Sequence, residues 1–335
     1  MTKPAVVDDD PELGARVRAE LGGSGPLRTL EGGRSGLTYR VADAVGSDHV
    51  VKAVPPGRRA VGRNDVLRQS HVLSARAEAG AGAGVPLPAV TARSETEPAW
   101  FAMECAAGTA EEPVLEERPL PPGVARERMV AAARVLGGLH AVPLADVEAG
   151  LRSAGGEVPE PLGPTDELAR WTKTMHAVPE ELRSGSQALL SALQAAVPVA
   201  VDPVLVHGDF RLGNLLCVGA EPTALVDWEI WSIGDPRVDL GWFGVFTDGA
   251  LFPGVGRVVA ELPSEAELLA VCGNPEPPDH AWFRALGRMK MAAIMGHNLK
   301  RHREGVHHDP VQEQLPATID ALIVSGRSIL EGGSR

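Results

Sequence analysis

Apolar and polar positions alternate with the spacing of β-strands in the first third of the chain, and with the spacing of helices over most of the remainder. β-Favouring runs separated by turn residues predict an antiparallel sheet near the N-terminus. Segments of helical periodicity predict short helices before and between these strands. The predicted strands are 37–41, 49–54, one starting within 85–90, and 99–105, and the predicted helices are 10–22 and 65–81.

The composition shifts after residue 105, because residues 107–123 are rich in Gly, Glu and Pro, as is typical of a connection between lobes. We therefore expect one domain over residues 1–105 and a second over residues 106–335. A Pro- and Gly-rich stretch at 143–165 predicts a long loop. The predicted helices of the second domain are 124–142, 166–177, 186–196, 279–304 and 310–331, and its short strands are 204–209 and 224–229.

Composition narrows the class of protein. The 335 residues are 44% hydrophobic and 23% charged, a balance typical of globular domains. A formal net charge of −12 argues against a nucleic-acid partner. Cys105, Cys217 and Cys272 include no CxxC pair, which excludes a zinc ribbon or a disulfide framework. With no apolar run of membrane-spanning length, we expect a cytoplasmic protein without a membrane partner.

Polar side chains follow two of the predicted strands. The apolar run Val204–Val206 ends in His207, Gly208 and Asp209, and Asn214 follows five positions after that acid. Asp227 comes directly after a second apolar run. Oxygen ligands of this kind are those that Mg²⁺ prefers. If the two strands are neighbours, the sequence predicts a Mg-nucleotide site between them. Each of the two segments, taken alone, has an alternative interpretation as a turn that follows a strand, with Asn214 as a loop cap.

The joint motif HGDFRLGN followed by VDWEIWSIGDPRVDLGW resembles the aminoglycoside phosphotransferase and choline kinase family, nearest the branch related to acyl-CoA-dehydrogenase-associated kinase domains. The resemblance implies an α+β, two-lobed protein-kinase-like fold. Its N-terminal lobe is an antiparallel sheet plus a helix and binds the nucleotide. Its C-terminal lobe is mainly helical, carries the catalytic residues and binds the acceptor, with ATP and Mg²⁺ between the lobes.

The resemblance also implies roles for the motif residues. Asp209 is the catalytic aspartate that orients the acceptor hydroxyl and takes its proton. Asn214 and Asp227 become Mg²⁺ ligands, and His207 supports the catalytic loop. Asp239, in GDPRVDL, resembles the acid that buttresses this loop, although a helix N-cap is an alternative for it.

Arg211 lies two positions after the catalytic aspartate. A cation there could neutralise charge on the transferring phosphoryl group, so we include it among the catalytic residues. A surface arginine in a loop is the alternative.

The same resemblance gives nucleotide-binding candidates in the first lobe. They comprise a glycine-rich turn, a strand lysine with its helix partner, and the segment that links the lobes: Gly33, Ser35, Gly36, Lys52, Gln69, Met103 and Glu104. Gln69 departs from the family, which has Glu there to pair with the lysine. The ion pair would become a neutral contact of roughly half the strength, unless Glu78 substitutes.

The acceptor is inferred from the predicted helix 279–304. Arg284 and Arg288 lie on one side of it, and the corresponding helix of the family lines the acceptor cleft. Mid-helix cations suit an anionic alcohol, such as a hydroxy acid or hydroxyacyl-CoA. The sequence thus predicts an ATP- and Mg²⁺-dependent small-molecule phosphotransferase. Two alternatives stay open: an aminoglycoside-type O-phosphotransferase, and a nucleotide-binding pseudokinase that acts as an interaction module. The sequence also leaves open whether GTP replaces ATP and whether the chain forms oligomers.

Overall fold

The computed structural model describes residues 9–23, 25–30, 37–55, 57–62, 65–78, 84–306 and 308–332. Its N-terminal part is a five-stranded antiparallel sheet of order β1-β2-β3-β5-β4. Helix α1 precedes the sheet, and helix α2 lies between β3 and β4. The bounds are α1 Pro11–Leu21, β1 Arg28–Thr29, β2 Leu37–Ala42, β3 Asp48–Ala53, α2 Val66–Glu78, β4 Val90–Ser94 and β5 Trp100–Glu104.

The two-residue period of a strand explains how this sheet is covered on both faces. Along β3, Val51 packs in the cluster that contains Leu13 and Val17 of α1. On β5, Phe101 belongs to the other cluster, which includes Val72 of α2. Lys52, which pairs with Phe101 across the two strands, therefore lies on the α2 side of the sheet.

The remainder of the chain is mainly helical, with two small antiparallel sheets formed by β6 with β9 and by β7 with β8. Its helices are α3 Val124–His140, α4 Leu144–Ser153, α5 Pro164–His176, α6 Ser186–Ala195, α7 Arg237–Phe243, α8 Glu265–Val271, α9 His280–Arg303 and α10 Pro316–Leu330. Its strands are β6 Val204–Val206, β7 Leu215–Val218, β8 Glu221–Leu225 and β9 Ser232–Gly234.

Helix α9 is the centre of this region, and most of its residues are buried. Phe283, Leu286 and Met289 belong to a core cluster shared with α5, α6 and α10. Helix α7 crosses α9 at a very close distance, because a Cβ atom placed on Gly287 would lie 2.6 Å from the carbonyl oxygen of Gly241. Glycine at the crossing therefore allows α9 to approach α7.

Three expectations about elements need correction. The predicted loop 143–165 contains α4, whose Val147 and Leu151 are buried and which packs closely on α2. The predicted helix 310–331 begins as a 3₁₀ turn, Pro310–Gln314, before α10 starts at a proline. The strands that precede Asp209 and Asp227 are not neighbours, because β6 pairs with β9 and β8 pairs with β7.

Within the described ranges, no single helix is both long and apolar enough to cross a membrane, and only α3 and α4 together, bent by 78°, reach the required length and composition.

Candidate active site

The loop after β6 is anchored by one buried carboxylate. The backbone N–H groups of His207 and Gly208 each donate to Asp239 at 2.8 Å, and His140 Nε2 lies 3.2 Å from the same carboxylate. Burial alone would raise the pKa of Asp239, but the contacts with His140 and His207 bring it below its ordinary value. Asp239 is not an N-cap, since α7 is capped at Pro236. It supports the loop, as the resemblance implies.

His207 is fully buried and joins the two motif segments. Its Nδ1 accepts the Asp209 N–H at 3.1 Å, and its Nε2 lies 3.0 Å from the Val226 carbonyl. These partners require a neutral ring with its proton on Nε2. Burial lowers the pKa of His207, in agreement with the neutral form. The ring therefore positions the segments that carry Asp209 and Asp227, and takes no proton itself.

The carboxylate of Asp209 is held at both oxygens. Trp242 Nε1 donates to Oδ1 at 3.0 Å, and Asn214 Nδ2 donates to Oδ2 at 2.8 Å. Asn214 Nδ2 also lies 2.9 Å from the Asp209 carbonyl oxygen. Arg211 Nε is 3.6 Å from Oδ1. Because the side chain keeps 24% exposure, the oriented carboxylate can be reached by an acceptor hydroxyl.

Lys52 connects the sheet to the second motif acid. Its Nζ donates to Asp227 Oδ1 at 2.8 Å and to Gln69 Oε1 at 3.2 Å. Burial alone would raise the pKa of Asp227, but the Lys52 ammonium holds it below its ordinary value. Gln69 thus makes the neutral contact that the sequence predicts, and the charge of Lys52 is balanced by Asp227. The side chain of Glu78 lies outside the described residues.

The residues predicted to hold Mg²⁺ fit an oxygen-ligated cation. The Val226 N–H donates to the Asn214 carbonyl at 2.9 Å, which places the two candidate ligands side by side. The side-chain Nδ2 of Asn214 is used by Asp209, so its Oδ1 is the atom left for a cation. Asp227 has a left-handed backbone, φ 67°, which turns it out of the strand direction. Among the described residues no three His, Cys, Asp or Glu side chains form a metal-binding group. A Mg²⁺ ion here would therefore need further oxygen ligands, which water and nucleotide phosphates can supply.

The other nucleotide-binding candidates differ in what the structure shows. Gly33, Ser35 and Gly36 lie outside the described residues. Met103 is buried at the end of β5. The Glu104 N–H donates to the Ala89 carbonyl at 2.9 Å, so it is not available to adenine. A nucleotide base at this segment would need other backbone groups.

The two arginines expected to line the acceptor cleft point elsewhere. Arg284 Nε lies 2.7 Å from Glu265 Oε2, and Arg288 Nε donates to Ser325 at 2.9 Å. Successive helical residues are about 100° apart, so Lys290 lies on roughly the opposite side of α9 from Arg288. Lys290 is the cation of α9 that reaches the catalytic loop, and the prediction for Arg284 and Arg288 is wrong.

Lys290 is buried between two indole rings. Its Nζ donates to the Gly208 carbonyl and lies 4.0 Å from the ring centre of Trp242 and 5.0 Å from that of Trp171. Burial lowers its pKa to about 8, partly offset by Asp209. The sequence gives one signal for it, a lysine within the apolar face of a helix.

Glu112, from the segment between β5 and α3, is a second residue that the sequence does not predict. It is 3% exposed, accepts the Gly213 N–H at 3.2 Å and lies 3.8 Å from Arg211 Nη1. Burial raises its pKa to about 7. Arg211 is therefore held between Glu112 and Asp209, and is not a free surface arginine.

Comparison with known proteins shows a family match and a similar fold. Residues 26–269, more than half of the chain, match the phosphotransferase enzyme family (APH). Mouse acyl-CoA dehydrogenase family member 10 is 28% identical over 230 residues, which cover 65% of this chain and 20% of the mouse protein. The chain therefore spans about a fifth of the length of that relative.

Solved structures are similar over nearly the whole chain. A Ralstonia eutropha structure, provisionally named an aminoglycoside phosphotransferase, has a TM-score of 0.73 and 21% identity, covering 97% of this chain and 99% of its own. The complex of APH(2")-IIIa with GDP and kanamycin has a TM-score of 0.63 and 13% identity, covering 93% and 98%. The complex of APH(4)-Ia with ADP and hygromycin B has a TM-score of 0.60 and 15% identity, covering 94% and 99%.

These structural likenesses confirm the two-lobed protein-kinase-like fold, with an N-terminal antiparallel sheet and a mainly helical C-terminal part. The family match and the arrangement around Asp209 agree with the resemblance seen in the sequence. On this evidence, the chain belongs to the phosphotransferase enzyme family.

Proposed function

We propose that this protein transfers the γ-phosphoryl group of Mg-ATP to a hydroxyl group of a small molecule. One observation carries the proposal: the Asp209 carboxylate is fixed at both oxygens by Trp242 and Asn214. Asn214 is joined through Val226 to Asp227, which is paired with Lys52. An acid, an amide, a second acid and a lysine in this arrangement are the parts that phosphoryl transfer requires.

The nucleotide would bind between the N-terminal lobe, residues 1–105, and the C-terminal lobe, residues 106–335. Lys52 would grip its phosphates, exchanging part of its contact with Asp227 for phosphate oxygens. Mg²⁺, held by Asn214 and Asp227, would neutralise charge on those phosphates. Similar structures contain ADP in one case and GDP in another, so the use of ATP is part of the proposal.

The Asp209 carboxylate would accept the hydrogen bond of the acceptor hydroxyl and take its proton as the reaction proceeds. The hydroxyl oxygen forms a bond to the γ-phosphorus, the bond from that phosphorus to the bridging oxygen of ADP breaks, and ADP leaves. Arg211, within 3.6 Å of Asp209, is close enough to steady charge on the moving phosphoryl group. In this chemistry, accurate positioning contributes more than a strong base.

For the acceptor, we propose a hydroxy acid or its CoA thioester. Support comes from the similarity to acyl-CoA dehydrogenase family member 10. An aminoglycoside-type acceptor is the second candidate, favoured by the kanamycin and hygromycin B complexes of similar folds. A catalytically silent pseudokinase is disfavoured, because the departure at Gln69 is compensated by the Lys52–Asp227 pair.

The test is ADP release with Mg-ATP against aminoglycosides, choline-like amines, hydroxy acids and hydroxyacyl-CoA thioesters. Asp209→Asn should abolish turnover while retaining Mg-ATP binding, since Asn cannot take the hydroxyl proton. Asp146→Asn, an exposed acid of α4, is the matched control and should behave like the native protein. Turnover that survives Asp209→Asn would refute the assigned role.

A further inference from the structure

A small pocket of about 250 Å³ opens between α2, α5 and the segment that follows Asp227. Arg68 of α2 and Arg170 of α5 contribute guanidinium groups to its wall, and Ile230 and Trp231 contribute its other side. Its volume is near the lower end of the roughly 300–1,000 Å³ typical of ligand sites. It can therefore hold a small group or one end of a larger molecule.

Arg68 is a half-buried cation without a close carboxylate partner in the described part of the chain. Its Nη2 donates to the Trp231 carbonyl at 2.7 Å, and its guanidinium lies 4.0 Å from the Trp231 ring centre. Asp65, whose charge acts on Arg68, uses Oδ1 to accept the Arg68 backbone N–H at the start of α2. A half-buried cation is normally paired with an anion. Because Arg68 has no such partner among the described residues, the remaining N–H groups of its guanidinium can donate to a bound anion.

Arg170 brings a second positive charge to the same pocket. Burial lowers the pKa of Arg68, the charge of Asp65 partly offsets this, and the positive charge of Arg170 lowers the pKa further. The carboxylate of Glu167 lies 3.5 Å from Arg170 and also accepts the Trp171 indole N–H. An anion between the arginines would relieve their repulsion and accept hydrogen bonds from both.

Two acidic residues, Glu160 and Glu229, also line the pocket and could compete with an anion for the guanidinium groups. Glu160 is exposed, whereas Glu229 is half-buried and already engaged within the protein. Among the described residues neither carboxylate forms an ion pair with Arg68, whose side chain contacts the carbonyl and ring of Trp231. Arg68 therefore keeps guanidinium donors that neither carboxylate uses.

The pocket wall adjoins the catalytic loop. Ser232 of the wall pairs with Val206, the last residue of β6. A Cβ atom placed on Gly208 would lie 2.5 Å from the Ile230 carbonyl oxygen, so these two segments are in direct contact. Asp209 follows Gly208. The pocket therefore lies beside the loop that carries Asp209, with its wall packed directly on that loop.

We propose that Arg68 and Arg170 bind the carboxylate of a small hydroxy acid acceptor while its hydroxyl lies at Asp209. This inference rests on the proposed function and specifies its acceptor class. It also gives α2 a second role, since the helix that supplies Gln69 to Lys52 supplies Arg68 to the acceptor.

The experiment measures binding and turnover separately. Calorimetry with Asp209→Asn in Mg-ADP gives the affinity for β-hydroxybutyrate and γ-hydroxybutyrate, and for their uncharged methyl esters. The same acids are then tested as acceptors with the active protein. Arg68→Gln and Arg170→Gln are compared with Arg152→Gln, which removes the same charge from an exposed position on α4 (63% exposure).

We expect at least one acid to bind more tightly than its ester. Arg68→Gln and Arg170→Gln should each weaken binding of the acid by about tenfold to hundredfold, the effect of one charge-assisted hydrogen bond. They should leave the affinity for the ester and for Mg-ADP nearly unchanged, and Arg152→Gln should change none of the measured affinities. Equal affinity for acid and ester, absence of acid binding, or no effect of both variants would overturn the proposal.

Failure of the proposed function gives a different result. Arginine-dependent binding of an acid without ADP release from any acceptor would remove the phosphotransferase reaction but keep the anion site. Turnover of aminoglycosides alone, unaffected by Arg68→Gln and Arg170→Gln, would keep the reaction and remove the anion site.

Discussion

Replacement of Asp239 by asparagine tests the support of the catalytic loop. The carboxylate accepts two backbone N–H groups at 2.8 Å and contacts His140, all in a fully buried position. Asparagine can accept one of these N–H groups through its carbonyl, but its own NH₂ group then faces another donor. One charge-assisted bond, worth about 1.5–3 kcal/mol, is lost, and a buried N–H is left unsatisfied at about 1–3 kcal/mol.

Asp239→Asn should therefore lower the free energy of unfolding by about 3–5 kcal/mol at neutral pH, measured by urea denaturation. Asp320→Asn, an exposed acid of α10, is the control and should change it by less than about 0.5 kcal/mol. Because the pKa of Asp239 is depressed on folding, its contribution is present above its ordinary pKa of 3.8 and is lost as the pH falls through the lower folded value. The difference between the two proteins should shrink in that acidic range. A loss below about 1 kcal/mol at neutral pH would refute the reasoning.

Three further variants probe other contacts. Glu112→Gln should increase the free energy of unfolding above pH 7 and have little effect near pH 4.5. The pKa of Glu112 is raised from 4.5 to about 7, so its ionised form increasingly opposes folding as the pH rises through that range. The same pH dependence of unfolding in both proteins would contradict this. Lys290→Met should lower kcat by about tenfold with little change in the KM for ATP, because the Gly208 carbonyl loses its donor while an unbranched apolar side chain still fills the space between the indole rings; an unchanged kcat in steady-state kinetics would contradict this. Gly287→Ala should cost about 1–3 kcal/mol in thermal or urea unfolding, because the new methyl group would lie 2.6 Å from the Gly241 carbonyl oxygen; a neutral effect would mean that α7 and α9 can separate.

The elements that the sequence predicts well are those whose periodicity is set by one buried face. Strands β2 and β3 and helices α5 and α9 begin and end within a few residues of the expected positions. Helix α4 was missed, because its Pro- and Gly-containing surroundings suggested a loop. Its apolar spacing of Leu144, Val147 and Leu151 does fit a helix, but its stability depends on packing against α2, which periodicity cannot show.

In the candidate site, too, some contacts could be predicted from the sequence and others could not. Lys52, Gln69 and Asp227 meet although they are far apart in sequence, as the resemblance to the family implies. The cation on α9 was misassigned, because residues two apart on a helix face nearly opposite directions, so Lys290 and not Arg288 reaches the loop. Glu112 could not have been predicted, because its contact with Arg211 depends on how the connection between the lobes folds back.

The most direct test of the central claim is phosphorus NMR of the reaction products, with Mg-ATP, the acceptor panel, and native or Asp209→Asn protein. The account predicts a phosphate monoester of one acceptor class, formed together with ADP by the native protein and reduced at least about a hundredfold by the substitution. A monoester formed at the same rate by Asp209→Asn, or none from any acceptor class while Mg-ATP is bound, would contradict it.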